Sequence, residues 1–337
     1  MRAWLRRALV AALVSGATAC GGSGATPEGG ASHPTSRVPP ASTTPASTAP
    51  ASTTAAPPEC GSASVRPPRV YEHVVWIFME NHTYGQVIGS PAAPFETALA
   101  HRCGTATHYA SVGSPSLPNY IGATSGDTQG IHDDADPASH PLTADNLFRQ
   151  VRASGRRAAS YEEAMPGPCT LSPQGHYAVK HNPAAYYTGS GPERNGDGDD
   201  RAACEADDVA LGTPTSGALA QALDGDTLPA FSLITPDLCH DTHDCGVATG
   251  DTWLAGWLPR LVASPAYRSG TTAIFVAWDE STPMPSIVVS PHTVPGTVFA
   301  GAMDHYSLLR TTEELLGIGD FLGHAARAPS LRPAFGL

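Results

Sequence analysis

Polar side chains directly follow two of the most apolar segments of the chain. Glu80 and Asn81 come after the run VVWIFM, and Asp279 and Glu280 come after the run TTAIFVAW. Carboxylate and amide oxygens are ligands for hard cations such as Mg²⁺, Ca²⁺ and Mn²⁺, and iron also accepts them. Unpaired carboxylates brought together would repel one another, so the two pairs indicate one shared metal site. Capping of a following helix or turn by each carboxylate is the alternative.

A serine lies in a proline-flanked turn within the stretch SPSLPNYIGATSG, at 114–126. Ser116 precedes a short helical segment, and the N-terminus of a helix stabilises a bound anion. The position suits a nucleophile, but the chain has no GxSxG motif, so the nucleophile elbow of other hydrolases is not indicated. An ordinary helix-capping serine is the alternative interpretation.

A third polar group follows the apolar segment FSLITP. It comprises Asp237, His240, Asp241, His243 and Asp244. If this segment lies in the same sheet as the other two apolar runs, its polar residues come to the same edge as the acidic pairs. Three segments that are far apart in sequence would then supply one site.

The elements that must position these residues alternate along the chain. Short continuous apolar runs predict strands, and apolar residues at helical spacing predict helices. The predicted strands are 74–79, 157–161, 228–235, 271–278 and 285–290, and the predicted helices are 92–102, 117–124, 144–153, 252–262 and 306–316. Such alternation predicts an α/β fold with a mainly parallel central sheet and helices on both faces.

The first residues of the chain have the composition of an export signal. In 1–20, three arginines flank the start of an apolar stretch that is too short to span a membrane. The sequence ATAC is similar to a bacterial lipoprotein cleavage box, which would place a lipid on Cys20; ordinary secretory cleavage near Ala19 is the alternative. Both predict an extracytoplasmic protein that is either lipid-anchored to the cell envelope or secreted.

The remainder of the chain divides by composition into a tether and one domain. Residues 21–58 are nearly all Gly, Ala, Ser, Thr and Pro and bury too little apolar surface to fold, which predicts a disordered tether. Residues 59–337 suit one large catalytic domain, which we expect to be a monomer. The net charge of −12 argues against a nucleic-acid-binding surface. The acidic run at 193–208 predicts a solvated loop, with a calcium loop as the alternative.

Cysteine usage agrees with export. Of the seven cysteines, Cys20 belongs to the signal and the other six form an even set, which predicts three disulfides in an oxidising compartment. Many pairings are possible, and proximity in sequence favours Cys60–Cys103, Cys169–Cys204 and Cys239–Cys245. A thiolate zinc site is the alternative, although CxxC spacing is missing.

Several stretches together resemble the bacterial and fungal phosphoesterase family of secreted acid phosphatases and phosphatidylcholine-type phospholipases C. In chain order they are MENHTYGQVIG, APFETALA, SPSLPNYIGATSG, YAVKHNP, ITPDLCHDTHDC with GDTWL, AIFVAWDES and HYSLLRTTEELLGI. The resemblance covers most of the domain and implies the alkaline-phosphatase-like α/β fold. In its moderate length the chain is most similar to members of the acid phosphatase branch.

The resemblance also implies individual roles around the metal. Glu80 and Asn81 match one metal-binding pair, and Asp279 and Glu280 match the second. Ser116 matches the nucleophile of a His-Pro-Ser-x-Pro-Asn-Tyr stretch, in which Ser114 of this chain replaces the histidine. No role at the metal site is indicated for His82, for which a solvated loop position is expected.

Further matches concern the substrate. Asn119 matches a residue expected to bind a phosphate oxygen. His181 and Asn182 match a His-Asn-Pro segment near the site. Asp241 and His243 match an Asp-x-His segment that faces the phosphate or assists the leaving group. His305 is a further substrate-binding candidate, with capping of the last helix as its alternative.

The resulting expectation is an exported, metal-dependent acid phosphatase that hydrolyses small phosphate monoesters, including phosphoinositides, through a phosphoserine intermediate. One cation (Mg, Ca, Mn or Fe) is expected, and a second metal bound by Asp241, His243 and His305 is the alternative. A phospholipase C-type phosphodiesterase that acts on a phospholipid headgroup is the rival activity. A non-catalytic envelope lipoprotein is the remaining alternative. A membrane partner is expected only through the anchor at Cys20.

Overall fold

The structure is a computed structural model that describes residues 59–63, 66–193 and 196–337. The predicted export signal at 1–20, the lipid on Cys20 and the tether at 21–58 lie outside these residues. Within the described part of the chain, no helix is both long and apolar enough to cross a membrane.

Eleven strands occur among the described residues. They are β1 (His73–Met79), β2 (Gly104–Ala110), β3 (Ala158–Glu162), β4 (Ser190–Glu193), β5 (Gly196–Asp199), β6 (Asp208–Ala210), β7 (Phe231–Thr235), β8 (Thr272–Trp278), β9 (Met284–Val289), β10 (Thr297–Phe299) and β11 (Met303–Asp304). Each strand predicted from the sequence is present to within three residues at either end.

Ten α-helices occur in the same described ranges. They are α1 (Tyr84–Val87), α2 (Pro94–Arg102), α3 (Ser116–Ser125), α4 (Leu147–Ala153), α5 (Asp200–Asp207), α6 (Ala218–Asp224), α7 (Val247–Ala263), α8 (Pro265–Arg268), α9 (His305–Leu315) and α10 (Arg332–Phe335). Short 3₁₀ turns cover Val179–His181, Pro183–Tyr186 and Gly323–Ala326. All five helices predicted from the sequence are present, and α7 begins five residues before its predicted start.

The central sheet has the strand order β10-β2-β9-β8-β1-β7-β3-β6, with β11 paired to β2. Neighbouring strands are parallel except at β9, which is antiparallel to both β2 and β8. Strand β1 lies between β8 and β7, where Val75 is in register with Ile274 on one side and Ser232 on the other. The mainly parallel sheet is therefore confirmed, and its apolar runs are the strands with neighbours on both edges.

Helices cover both faces of this sheet. Trp76 of β1 donates its indole N–H to Thr312 of α9 at 2.9 Å. Alternate side chains of a strand point to opposite faces, and on the other face Met79 lies against α7. A Cβ at Gly250 of α7 would stand 2.8 Å from the Met79 Cε, so glycine permits this close approach.

The acidic stretch 196–208 does not form the solvated loop that its composition predicts. Its second half is helix α5, whose N-cap Asp199 accepts hydrogen bonds from two backbone amides of the first turn. Asp200 is buried and pairs with Arg149 and Arg152. Two guanidinium partners therefore allow this carboxylate to lie in the interior.

The three predicted disulfides are present: Cys60–Cys103, Cys169–Cys204 and Cys239–Cys245. Because the six sulfurs are bonded in three pairs, none is a free thiolate, and the alternative of a thiolate zinc site is wrong. The short Cys239–Cys245 bridge closes the loop that follows β7. That loop carries Asp241 and His243.

Candidate active site

The neighbouring strands β8, β1 and β7 end at one edge of the sheet and bring three polar segments together. The Asp279 amide donates to the Met79 carbonyl at 3.0 Å, and the Glu80 amide donates to the Asp241 carbonyl at 2.8 Å. The Thr242 hydroxyl donates to the Glu80 carbonyl at 2.9 Å. The backbone itself therefore links the segments that carry the candidate residues.

Three residues beside these strand ends have left-handed backbone conformations. They are Asn81 (φ 54°), Thr242 (φ 81°) and Ser281 (φ 82°). Each conformation costs about 1–3 kcal/mol for a residue other than glycine and persists only where surrounding contacts enforce it. Their concentration at one edge of the sheet is typical of a functional site.

Glu80, His181 and Asp241 form a buried cluster, in which one possible ligand atom from each lies within 4.8 Å of the others. His181 Nε2 is 3.3 Å from Glu80 Oε1, and His181 Nδ1 is 3.2 Å from Asp241 Oδ2. Neither ring nitrogen makes a hydrogen bond, so the atoms converge without satisfying one another. Asp279 adjoins the cluster, since its Oδ1 accepts from the Asn81 amide at 3.3 Å.

Burial changes the ionisation of every member of this cluster. It raises the pKa of Glu80 well above its usual range, and the charges of Asp279 and Asp241 raise it further. Burial, assisted by Glu280, raises the pKa of Asp279 to about 7. Burial also raises the pKa of Asp241 to about 7 and lowers the pKa of the His181 imidazole. The carboxyl groups are thus adjacent acids that lack a compensating charge.

A hard cation fits this set of donors. Buried atoms without a hydrogen-bond partner among the described residues include Asn81 Oδ1, Asp241 Oδ2, Asp279 Oδ2 and both ring nitrogens of His181. Buried polar groups are normally paired, and a bound cation would satisfy these together with Glu80. His181, which the sequence analysis assigned to substrate, lies where a metal ligand would.

Ser116 begins helix α3 and faces the same cluster. Its hydroxyl donates to Glu80 Oε2 at 3.2 Å. The Tyr120 hydroxyl, one turn later, donates to Glu80 Oε1 at 2.5 Å, and the Tyr120 ring stacks on His181 with centroids 5.2 Å apart. Helix α3 therefore orients both a hydroxyl that could act as a nucleophile and the carboxylate beside it.

Asn119 has a different environment from the one expected. Its Oδ1 accepts from the amides of Val112 and Gly113, and its Nδ2 donates to the carbonyls of Gly113 and Pro115. These four hydrogen bonds use the full capacity of the amide. Asn119 therefore holds the turn that precedes Ser116, and its Nδ2 lacks a free donor for phosphate.

His243 lies on the solvent side of the cluster, with its ring centroid 5.8 Å from that of His181. Its Nδ1 is 2.8 Å from Asp244 Oδ1, and its Nε2 is 3.4 Å from the ammonium nitrogen of Lys180. Its backbone amide donates to Asp241 Oδ1 at 2.7 Å. The structure therefore brings the predicted pair, Asp241 and His243, to the site with Asp241 inside and His243 at the mouth.

His305 makes a hydrogen bond to the backbone of Asp279 and holds it in place. Its Nε2 donates to the Asp279 carbonyl at 2.6 Å, and its Nδ1 is 3.2 Å from the Tyr109 hydroxyl. Burial lowers the pKa of His305 to about 4, and helix α9 is capped by Asp304 instead. Within the described residues, His305 does not join Asp241 and His243 in a second group of metal ligands.

Two of the polar residues that follow strands lie apart from the cluster. Glu280 is half-buried and makes no hydrogen bond or ion pair with the described residues, although its charge reaches Asp279. His82 lies in a loop, as predicted, but it is half-buried and both of its ring nitrogens are shielded from solvent. Burial alone lowers the pKa of His82, which separates it from the charged cluster.

Asp237 and His240, which also follow β7, form a hydrogen-bonded group of their own. His240 Nδ1 is 2.9 Å from Glu163 Oε2 and 3.3 Å from Asp237 Oδ1. Asp237 also accepts the amides of Cys239 and His240. These contacts fix the start of the disulfide-closed loop.

Asn182 lies in a separate buried cluster on the far side of the 3₁₀ turn that carries His181. Its Nδ2 donates to Asp208 Oδ2 at 2.8 Å and to the Tyr177 hydroxyl at 3.0 Å. Burial raises the pKa of Asp208 to about 7, and burial with the charge of Asp208 raises the pKa of Glu162. Two consecutive residues therefore serve two different clusters, and Asn182 does not reach the candidate site.

We expect Asp208→Asn to remove part of the pH dependence of stability. The folded protein keeps the Asp208 proton up to about pH 7, whereas an unfolded aspartate loses it near ~4. The free energy of unfolding of the wild type should therefore fall as pH rises through this window. Denaturation curves near pH 4 and pH 7 should show a smaller fall in the variant, by on the order of 4 kcal/mol, since each of the roughly three pKa units corresponds to ~1.4 kcal/mol. The active-site carboxyls are common to both proteins, so they do not contribute to the difference. An unfolding free energy that depends on pH identically in the variant and the wild type would contradict the prediction.

Sequence reasoning did not assign roles to Tyr120, Lys180 or Asp134. Tyr120 and Lys180 lie in stretches that were recognised, but their contacts depend on how distant segments meet. Asp134 accepts from the Leu117 amide at 3.0 Å and from Lys180 Nζ at 3.0 Å. The one signal in the sequence is that Lys180 is the only lysine of the chain.

A sequence model described as the Phosphoesterase family matches residues 90–319. The chain is 27% identical over 287 residues to a phosphatidylinositol-3-phosphatase from Mycobacterium tuberculosis, covering 83% of this chain and 88% of that protein. It is 26% identical to a probable acid phosphatase from Kluyveromyces lactis and 27% identical to an acid phosphatase from Aspergillus fumigatus, covering 70% and 63% of this chain. The match spans 56% and 48% of those two fungal proteins.

Solved structures with the same fold have little sequence in common with this chain. A protein in the alkaline phosphatase superfamily from Vibrio parahaemolyticus superposes with a TM-score of 0.52 at 12% identity, covering 80% of this chain and 74% of that one. The lipoteichoic acid synthase from Listeria monocytogenes gives 0.51 at 9% identity, covering 79% and 76%. These likenesses support the alkaline-phosphatase-like fold.

Proposed function

The chain belongs to the Phosphoesterase family, and we propose that it is an exported, metal-dependent phosphatase that hydrolyses phosphate monoesters through a phosphoserine intermediate on Ser116. The acid phosphatases and the phosphatidylinositol-3-phosphatase among its relatives support monoesters as the substrate class. We include phosphoinositide monoesters in that class on the basis of the mycobacterial relative.

One observation carries the proposal: a serine hydroxyl at a helix N-terminus points into a buried group of unsatisfied acidic ligands. Ser116 Oγ donates to Glu80 Oε2 at 3.2 Å, and Glu80 adjoins His181, Asp241 and Asp279. Three carboxyl groups and one imidazole in the interior are costly unless a cation compensates them. A hydroxyl beside such a cation is what attack on phosphorus requires.

The residues that would hold the metal are Glu80, Asn81, His181, Asp241 and Asp279. Once bound, the cation would favour the alkoxide form of the serine and neutralise charge on the phosphoryl oxygens.

The protein itself orients the nucleophile. The hydrogen bond to Glu80 fixes the direction of the Ser116 hydroxyl and leaves its lone pairs free for the substrate. The N-terminus of α3 favours an anion at this position because its first amides lack partners within the helix.

The covalent step forms a bond between Ser116 Oγ and phosphorus and breaks the bond from phosphorus to the alcohol oxygen. The hydroxyl proton of Ser116 passes to Glu80 Oε2, which already accepts its hydrogen bond at 3.2 Å. His243 donates a proton from Nε2 to the departing oxygen, while Asp244 Oδ1 lies 2.8 Å from Nδ1. Water then gives one proton to His243 Nε2 and attacks phosphorus, and Ser116 Oγ leaves and takes back the proton held by Glu80. Asp241 accepts the His243 amide and so holds the acid in place.

The assay that tests this function compares a monoester with a choline diester. We expect the purified protein to hydrolyse p-nitrophenyl phosphate with a kcat/KM about tenfold or more above that for p-nitrophenylphosphorylcholine, because a dianion gains more than a net-neutral choline diester from contact with the bound cation. Release of p-nitrophenol from each substrate is the measurement. Preference for the choline diester would favour a phospholipase C-type activity, and no hydrolysis of either would favour a ligand-binding lipoprotein.

A further inference from the structure

Lys180 is the only lysine in the 337 residues, since arginine supplies every other basic side chain among the 19 lysines and arginines. It lies directly before His181 in the 3₁₀ turn Val179–His181. Arg149 pairs with Asp200 and Arg157 pairs with Asp207. Lys180 instead reaches the mouth of the site, where its Nζ lies 3.4 Å from His243 Nε2.

Asp134 fixes the direction of this lysine. Asp134 Oδ2 accepts from Lys180 Nζ at 3.0 Å, and Asp134 Oδ1 accepts from the amide of Leu117 at 3.0 Å. Leu117 is the residue after Ser116, so one carboxylate joins the lysine to the start of helix α3. The side chains of Lys180 and Asp134 are 21% and 28% exposed, which leaves the ammonium group accessible to a ligand.

The ammonium group has one more donor than it uses. A lysine carries three N–H donors. One is directed to Asp134, and His243 Nε2, 3.4 Å away, accepts a second only while that nitrogen carries no proton. The third has no partner among the residues that the structure describes. This charged donor is partly buried, lies beside the His243 imidazole and is joined through Asp134 to the residue after Ser116. An unpaired donor in such a place calls for an anionic acceptor.

We propose that Lys180, oriented by Asp134, binds a non-bridging oxygen of the substrate phosphate and selects dianionic monoesters over monoanionic diesters. The inference rests on the proposed phosphatase function and adds the residue that sets its selectivity. A positive charge attracts a dianion about twice as strongly as a monoanion at the same distance. The ammonium group of Lys180 at the mouth therefore contributes more to binding of the monoester than to binding of the diester.

Replacement of Lys180 tests the selectivity directly. We expect Lys180→Met to lower kcat/KM for p-nitrophenyl phosphate by about 10- to 100-fold, the range for loss of a hydrogen bond to a charged group. For bis(p-nitrophenyl) phosphate the loss should be several times smaller, so the monoester-to-diester ratio should fall. Arg102→Met is the matched control, because it removes one positive charge from an exposed pair with Glu59 and should leave both values within about twofold.

A second measurement uses the wild-type protein alone. Pyridoxal 5′-phosphate followed by borohydride should label the peptide that contains Lys180, and saturating inorganic phosphate should slow that labelling but not the labelling of the N-terminal amine. This measurement decides the matter if Lys180→Met does not fold.

The outcomes separate this inference from the function on which it rests. A wild type without monoester hydrolysis overturns the proposed function itself. An active wild type whose monoester-to-diester ratio survives Lys180→Met, or whose Lys180 labelling is insensitive to phosphate, overturns the role of Lys180 alone.

Discussion

Ser116→Ala is expected to lower kcat for p-nitrophenyl phosphate by about 10³-fold or more, because the variant lacks the hydroxyl that we propose as the nucleophile. Binding of phosphate should change far less, since the cluster around Glu80 remains intact. Steady-state rates give the first number, and the affinity for inorganic phosphate as a competitive inhibitor gives the second. In the wild type, mass spectrometry after acid quenching should find phosphate on the peptide that contains Ser116.

Ser114→Ala is the matched control for this result. Ser114 is exposed, lies in the same turn and is separated from Ser116 by one proline. The control should retain activity within about threefold of the wild type, as surface substitutions usually do. More than a tenth of wild-type activity in Ser116→Ala, or phosphate on another residue, would refute the assignment of the nucleophile.

Chelation is expected to abolish turnover, and added divalent cation should restore it. Metal binding must displace protons from Asp241 and Asp279, whose pKa values burial raises to about 7. Metal affinity should therefore rise with pH, by about tenfold per unit for each proton displaced, until those groups are ionised. Calorimetric titration with Mn²⁺ at several pH values measures both the affinity and the number of protons released.

Asp279→Asn should weaken Mn²⁺ binding by about 100-fold, a loss expected when a buried charged ligand becomes neutral. Glu280→Gln provides the comparison, because Glu280 adjoins Asp279 in sequence but is half-buried without a hydrogen-bond partner among the described residues. The structure predicts a smaller loss of Mn²⁺ affinity for Glu280→Gln than for Asp279→Asn. Equal losses of Mn²⁺ affinity in the two variants would indicate that Glu280 is also a metal ligand. Full activity of the wild type in the presence of chelator would refute metal dependence.

The sheet and the meeting of strand ends were predictable because they depend on local patterns. β1 and β8 are continuous apolar runs, as strands covered on both faces must be. β2 was missed because GTATHYA lacks that pattern. Its Thr107 and His108 are partly or fully exposed beside an irregularity in the pairing with β9, and its identity as a strand depends on neighbours that are distant in sequence.

The segments that form the candidate site were predictable, but the directions in which their side chains point were not. His181 and Asn182 are adjacent, yet one meets Glu80 and the other meets Asp208. Asn119 was assigned to substrate, and the fold instead directs its amide to the preceding turn. Side-chain direction depends on packing between segments, which no local pattern records. The contact of Lys180 with Asp134 was missed for the same reason.

The position of β1 within the sheet has a consequence for how the protein is made. This strand opens the domain, yet its two partners follow it along the chain by roughly 160 and 200 residues. A ribosome therefore releases Glu80 and Ser116 long before it releases Asp279, and contacts between such distant segments form slowly. The proposed metal site is therefore incomplete until Asp279, in the last fifth of the chain, has been made. A fragment that ends before β8 should be inert, whatever motifs it retains.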